Sequence, residues 1–213
     1  MFLLLVGIHY QNLGAQGIGL LKYDGGGDWY ANPTALENLS ASYNESVGAA
    51  SYVHPSEVEV EGLLASGISF LHVTGHGRIV FSEQQRAILR QFTSRGGFIH
   101  IDDNYGMKDF VLEELPLIFP DGQLQRVALS HPIFNVPNKF ENGLPKIHEH
   151  DGDNPEHVGV FVKGELVALF TYECDLGDGW EDEDVHNDSQ EKREKALKMG
   201  VNLVHWSIVR SNR

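Results

Sequence analysis

The chain has 213 residues, 41% hydrophobic and 22% charged, enough for one globular domain with a full core. Its formal net charge of −14 would repel nucleic acid and anionic membrane alike, which leaves cations and neutral polar molecules as partners. A single cysteine, Cys174, excludes an internal disulfide framework and any multi-cysteine zinc site.

Residues 1–16, MFLLLVGIHYQNLGAQ, are expected to be a truncated signal peptide or a disordered start, with a single domain over 17–213. The apolar run is followed by small residues around Ala15, where a signal peptidase would cut. No basic region precedes it, and it is too short to span a membrane. The expected location is exported or periplasmic, with the cytoplasm as alternative.

Beyond it, strand-like runs alternate with helical patterns, the mark of a mainly parallel α/β sheet. IGLLKYD (18–24) reads as the first strand, and NPTALENLSASYNESVG carries helical spacing through Leu36, Leu39 and Tyr43. ASYVHP is a short strand. ISFLHVTGHG (68–77) is apolar almost throughout, as a strand covered on both faces should be. The next helix has a capping-box pattern at Ser82 and Gln85 and stops at Gly96. GFIHIDD is a strand, and MKDFVLEELPLIF a helix that Pro116 should kink or shorten. LQRVAL reads as a further strand and HVGVFVKGELVALFTYE as a hairpin turning at Lys163-Gly164. DSQEKREKALKMGVNLVHWSIV is the terminal helix, with Asp188 as its cap and Glu191 completing a box.

In open parallel sheets ligands lie beyond the carboxyl ends of the strands, where the strand order reverses. For a flavodoxin-like order that point lies between the first and third strands. DGGGDWY follows the first strand, TGHG the third and DDNYG the fourth. Adjacent Asp102 and Asp103 at a strand end repel one another unless water, a metal or donors relieve them. With His76 they are the candidate acid–base groups. Asp24, Gly26, Gly27, Asp28, Trp29, Tyr30 and Asn104 are expected to line a crevice for a small polar ligand such as a carbohydrate. The plainer reading is a glycine turn and a satisfied turn histidine. DGGGDWY is no P-loop, because its acids would repel a phosphate.

Two further stretches carry candidates. In GLPKIHEHDGD, an extended backbone would put His148 and His150 on one face, roughly 6.5–7 Å apart. They could share a divalent, zinc-type ion with His76, Asp102 or Asp103, against a plain hydrogen-bonded loop. YECDLGDGWEDEDVHND is acid-dense but lacks the calcium-loop alternation, so Glu181 to Asp188 reads as a solvated loop leading into the last helix. Trp180 is expected to stack on a sugar ring or to pack as core.

KYDGGGDWYANPT, TGHG, GGFIHIDDNYG, HPIF, GLPKIHEHDG and DLGDGWEDEDVHND closely resemble the bacterial domain-of-unknown-function 4159 family, over about Leu20 to Asn202. The resemblance implies a class I glutamine amidotransferase-like fold, a three-layer flavodoxin-like sandwich shared with trehalose-utilisation-like proteins. Members are commonly exported or membrane-tethered, and no activity is established for them. Where amidotransferases carry a nucleophilic cysteine after a GGxxxG-type strand, this chain has Asp102 or Asp103, which cannot replace a thiolate. Glutaminase activity is therefore not expected. The functions left are binding of a small polar ligand, metal-dependent hydrolysis through His148 and His150, or a non-catalytic role in an envelope-associated assembly.

Overall fold

The computed structural model describes residues 16–47 and 52–213; the expected export signal falls almost wholly in 1–15, outside the described residues. Seven strands form one sheet: β1 (Gln16–Lys22), β2 (Val53–Glu59), β3 (Ile68–His76), β4 (Phe98–Tyr105), β5 (Gln123–Gln125), β6 (Glu156–Val162) and β7 (Glu165–Tyr172). Their order is β2-β1-β3-β4-β7-β6-β5. The first five in that order are parallel, and β6 is antiparallel to both its neighbours.

Strands β3 and β4 are buried at nearly every position, because helices cover both faces. Helices α1 (Ala35–Val47) and α5 (Gln190–Ser211) form one layer, α2 (Glu83–Ser94) and α3 (Lys108–Ile118) the other; a short α4 spans Glu183–His186. Successive strand residues point to opposite layers. Phe70 and Phe98 therefore pack toward α1 and α5, and Leu71, Val73, Ile99 and Ile101 toward α2 and α3. Each of these buried side chains stabilises the sandwich by roughly 1.5–3 kcal/mol. The result is a three-layer, mainly parallel α/β domain.

Several boundaries differ from the sequence reading for physical reasons. The β5 ladder ends at Gln125 rather than running to Leu129, since the Val127 amide turns to His157 Nε2 at 3.2 Å. Pro116 sits inside α3, which ends two residues later. The α2 capping box forms as the pattern implies, and the hairpin turns through Lys163 and Gly164, both at positive φ. Ser189 caps α5, accepting from Lys192 N. Asp188 is thereby released for another contact.

The site is positioned by the sheet order. β1 and β3 adjoin, so the chain winds away from them in both directions. β7 pairs directly with β4, with Asp102 opposite Thr171. The segment leaving β7 at Tyr172 must then pass over the carboxyl end of β4.

Candidate metal centre at the strand ends

Asp102 is fully buried at that junction. Its Oδ1 accepts from Thr171 Oγ1 at 2.5 Å and its Oδ2 from the Gly177 amide at 2.6 Å. Burial pushes its carboxyl up to about 8, the Thr171 hydrogen bond pulling the other way and Asp175 adding to the rise. The neighbouring Asp103 has a different task. It accepts from the amides of Met107 and Lys108 and so caps α3. The two side chains face opposite ways along β4, which is how adjacent acids coexist there.

By holding Gly177, Asp102 fixes a loop that carries most of the remaining polar atoms. Trp180, within it, is fully buried and donates from Nε1 to Ala196 O on α5. Glu181, also buried, accepts from the Thr34 amide and hydroxyl at the start of α1. Arg193 on α5 donates to Glu181 O. The loop is thus bound to both helices of its layer.

Pinned in this way, it presents Asp175, Asp178 and Asp188 to the histidines of the HEHDG stretch. His148 Nδ1 lies 2.8 Å from Asp178 Oδ2 and its Nε2 lies 2.9 Å from Asp188 Oδ2. His150 Nε2 lies 2.6 Å from Asp175 Oδ2. His186 Nε2, at the end of α4, lies 3.7 Å from Asp178 Oδ1. One ligand atom each from His148, Asp178 and His186 come within 4.8 Å of one another. Asp175 is 2% exposed, and its Oδ1 has no hydrogen-bond partner among the described residues. An unsatisfied buried carboxylate oxygen is costly unless a cation or donor meets it.

The electrostatics follow. Hydrogen bonds to Asp175 and Asp178 hold the His148 imidazole up at about 10. Burial works against Asp178, but His148 and His186 outweigh it and keep its carboxyl below the usual range. On its far side Asp178 Oδ1 accepts from Asn32 Nδ2 at 2.6 Å, and Asn32 Oδ1 in turn accepts from Asn104 and Thr74. Two histidines and a carboxylate, the carboxylate held by the Asn32 and Asn104 amides, are an N/O donor set suited to a divalent first-row ion.

A family model matches residues 17–208. The chain belongs to the DUF4159 family, a domain of unknown function. No curated protein matches it. The structure therefore has to supply the chemistry of this DUF4159 member, and it rearranges the expected site.

Of the expected ligand contacts at the first, third and fourth strand ends, Asn104 joins the network, through Asn32 and Asp178. His76 instead pairs with Asp28 in an exposed dyad, Nδ1 to Oδ2 at 3.0 Å. The glycine loop packs on residues 76–80: Gly27 N donates to Arg78 O, Val80 N to Asp24 O, and a Cβ on Gly27 would meet Tyr23 Oη at 2.7 Å. Gly26 is exposed; Trp29 is partly buried against both cores, and Tyr30 is exposed with its ring edge-on to it. Trp180 is core, with no ring face exposed to a ligand. His148 and His150 pair with none of His76, Asp102 and Asp103; each takes acids from residues 175–188. Of the stretch expected to be solvated, Asp182 to Val185 and Asn187 are exposed, whereas Glu181 is buried and Asp188 is engaged by His148.

Asn32, Asp175, Asp178 and His186 were not singled out by sequence, and Asp188 only as a helix cap. The signal available was the acid-dense DLGDGWEDEDVHND itself, with a histidine inside it. Cys174 also lies closer than its position in the chain suggests, its Sγ 3.9 Å from Asp102 Oδ1. It is fully buried, and burial keeps the thiol protonated well above its ordinary range.

Proposed function

We propose that this protein binds a divalent transition ion of the zinc type through His148, Asp178 and His186, and offers it to a small polar ligand such as a carbohydrate at the strand ends. The observation that carries this reading is the approach of the three ligand atoms to within 4.8 Å. The Asp175 oxygen nearby, without a hydrogen-bond partner among the described residues, supports it. Tyr105 supports the ligand class: it is exposed, its ring lies edge-on to His150 at 5.1 Å, and its hydroxyl meets Asp151. An aromatic face next to polar groups suits a sugar ring.

A second reading, metal-dependent hydrolysis, is favoured by the ligand count. Three protein ligands leave a coordination position where a water would be activated. Glutaminase chemistry is not part of either reading, since the only thiol is buried and protonated. The amidotransferase-like fold class is likewise our proposal; it draws on the parallel β2-β1-β3-β4 order and on the GGFIHIDD layout. Export is proposed from the family resemblance alone.

The test is elemental analysis of untreated protein, followed by zinc titration of chelator-treated protein. One ion per chain is expected, with affinity falling about 10- to 100-fold or more in His148→Ala and His186→Ala. Unchanged affinity in both variants would refute the assignment.

A further inference from the structure

At the opposite end of the sheet from the metal centre lies a cavity of about 520 Å³, within the size range of small-molecule sites. It opens between the ends of α2 and α3 and the tip of the β6–β7 hairpin. Phe119, Val162 and Val167 supply apolar wall, and Arg90, Lys163 and Arg210 line it with cations. Only Asp121 and Glu165 oppose them there, in a chain whose net charge is −14.

Helix ends account for part of this. The last carbonyls of α3, Leu117 O and Ile118 O, accept from Arg90 Nη1, and Arg90 Nη2 donates to Glu83. Arg90 is satisfied without a ligand. Arg210 is not. Its Nη1 donates to Gly97 O and its Nη2 to Thr93 O, both neutral carbonyls, while its Nε is buried with no partner among the described residues. Its acid, Glu165, is half-exposed and stands at 3.7 Å, beyond hydrogen-bond length. A cation 6% exposed with so loose a counter-charge is under-compensated.

Lys163 adds to the imbalance. It forms no ion pair among the described residues, and it occupies the hairpin tip at φ 52°, where glycine or asparagine would be strain-free. An uncommitted ammonium and an under-compensated guanidinium therefore share one part-apolar cavity.

We propose that this cavity binds a small organic monoanion of the carboxylate class, its charge toward Lys163 and Arg210 and its apolar body against Phe119, Val162 and Val167. This site is independent of the metal centre. The charge pattern selects the sign, the wall selects an apolar body, and the cavity's size excludes a folded partner.

Benzoate is a suitable probe, compared with benzamide and benzylamine of nearly the same shape. Titration followed by methyl and amide chemical shifts should show saturable benzoate binding centred on Val162 and Val167. Binding should be about tenfold or more tighter than that of benzamide, and weakened by added salt. Lys163→Gln, at an exposed turn, should fold normally and lose several-fold in benzoate affinity. His148→Ala should leave it unchanged. Absence of saturable benzoate binding, equal binding of benzylamine, or benzoate affinity unchanged in Lys163→Gln would each overturn the proposal.

Discussion

Asp102 illustrates how one residue's protonation decides what it can do. Burial puts its pKa at about 8, against an ordinary value of 3.8. The folded state therefore favours the protonated form, and this contribution is complete below pH 4 and is lost as pH rises through 8. Asparagine imitates the protonated acid, with one oxygen for the Gly177 amide and an NH₂ for Thr171. Asp102→Asn should fold, flatten the fall in stability between pH 5 and 8, and exceed the parent's stability above pH 8. Asp102→Ala leaves the Gly177 amide unsatisfied and should lose roughly 1–3 kcal/mol. Urea titrations across that pH range would measure both, and an Asn variant with the parent's slope would show that Asp102 is not the titrating group.

His148 shifts in the same direction for a different reason. Asp175 and Asp178 favour its charged form and raise it to about 10. In metal-free protein that pairing stabilises the fold below pH 6.5, and the gain is lost as pH rises through 10. A metal needs the neutral imidazole and must displace this proton. Zinc affinity should then rise with pH until His148 loses its proton near 10, by up to about tenfold per unit. Competition titrations with a chromophoric chelator at several pH values, corrected for the chelator's own protonation, would check it; a flat profile would contradict His148 as a ligand.

At the scale of elements, the site depends on how closely α5 approaches the 175–188 loop. Gly200 on α5 makes that approach: a Cβ there would stand 2.5 Å from Leu39 Cδ1 and 2.9 Å from the Trp180 ring. Helix propensity alone would favour alanine by about 1 kcal/mol. Overpacking a dense core costs about 1–3 kcal/mol, so the clash should win. Gly200→Ala is expected to lower the melting temperature and, by shifting Trp180 and its loop, to weaken zinc binding although it touches no ligand. A melting temperature raised by the substitution would mean that the core accommodates the methyl group.

The elements also show what sequence can and cannot convey here. β3 and β4 were legible because strands covered on both faces read as apolar runs, and α2 because its capping box is local. The adjacent acids of β4 were legible as an anomaly. Their division of labour was not: Asp103 caps a helix that begins five residues on, whereas Asp102 bonds Gly177, 75 positions away. That second contact exists because β7 inserts beside β4, a pairing that no local periodicity encodes. His148 was visible as part of a His-x-His pattern, but its partners depend on the same insertion. For Trp180 the sequence offered both ligand stacking and core, because the burial that decides it comes from α5, a helix that follows it.

For the whole molecule, the charge balance at the strand ends gives the broadest test. Asp103, Asp175, Asp178 and Asp188 are all largely buried there, beside Asp102, which is itself protonated below about pH 8. Among the described residues, the cations within 4 Å of them are His148, His150 and His186, charged only when protonated, and Lys192 beside Asp188. In a chain of net charge −14, such a cluster opposes compaction unless a cation offsets it. An ion that binds the native state and not the unfolded chain adds about 2.7 kcal/mol when present at 100 times its dissociation constant. For a domain of this length that is roughly 5–10 °C in melting temperature. Zinc added to chelator-treated protein at pH 8 should produce a rise of this order, larger than at pH 6 because less of His148 is protonated. Magnesium, a hard ion that prefers an all-oxygen shell, should produce much less. The rise should vanish in His148→Ala and in Asp178→Asn, while raised salt alone, which screens exposed charge only, should not replace it. If zinc and magnesium stabilised the protein equally, or if the His148→Ala protein gained as much as the parent, the effect would be general screening of an acidic surface and the metal centre would fall.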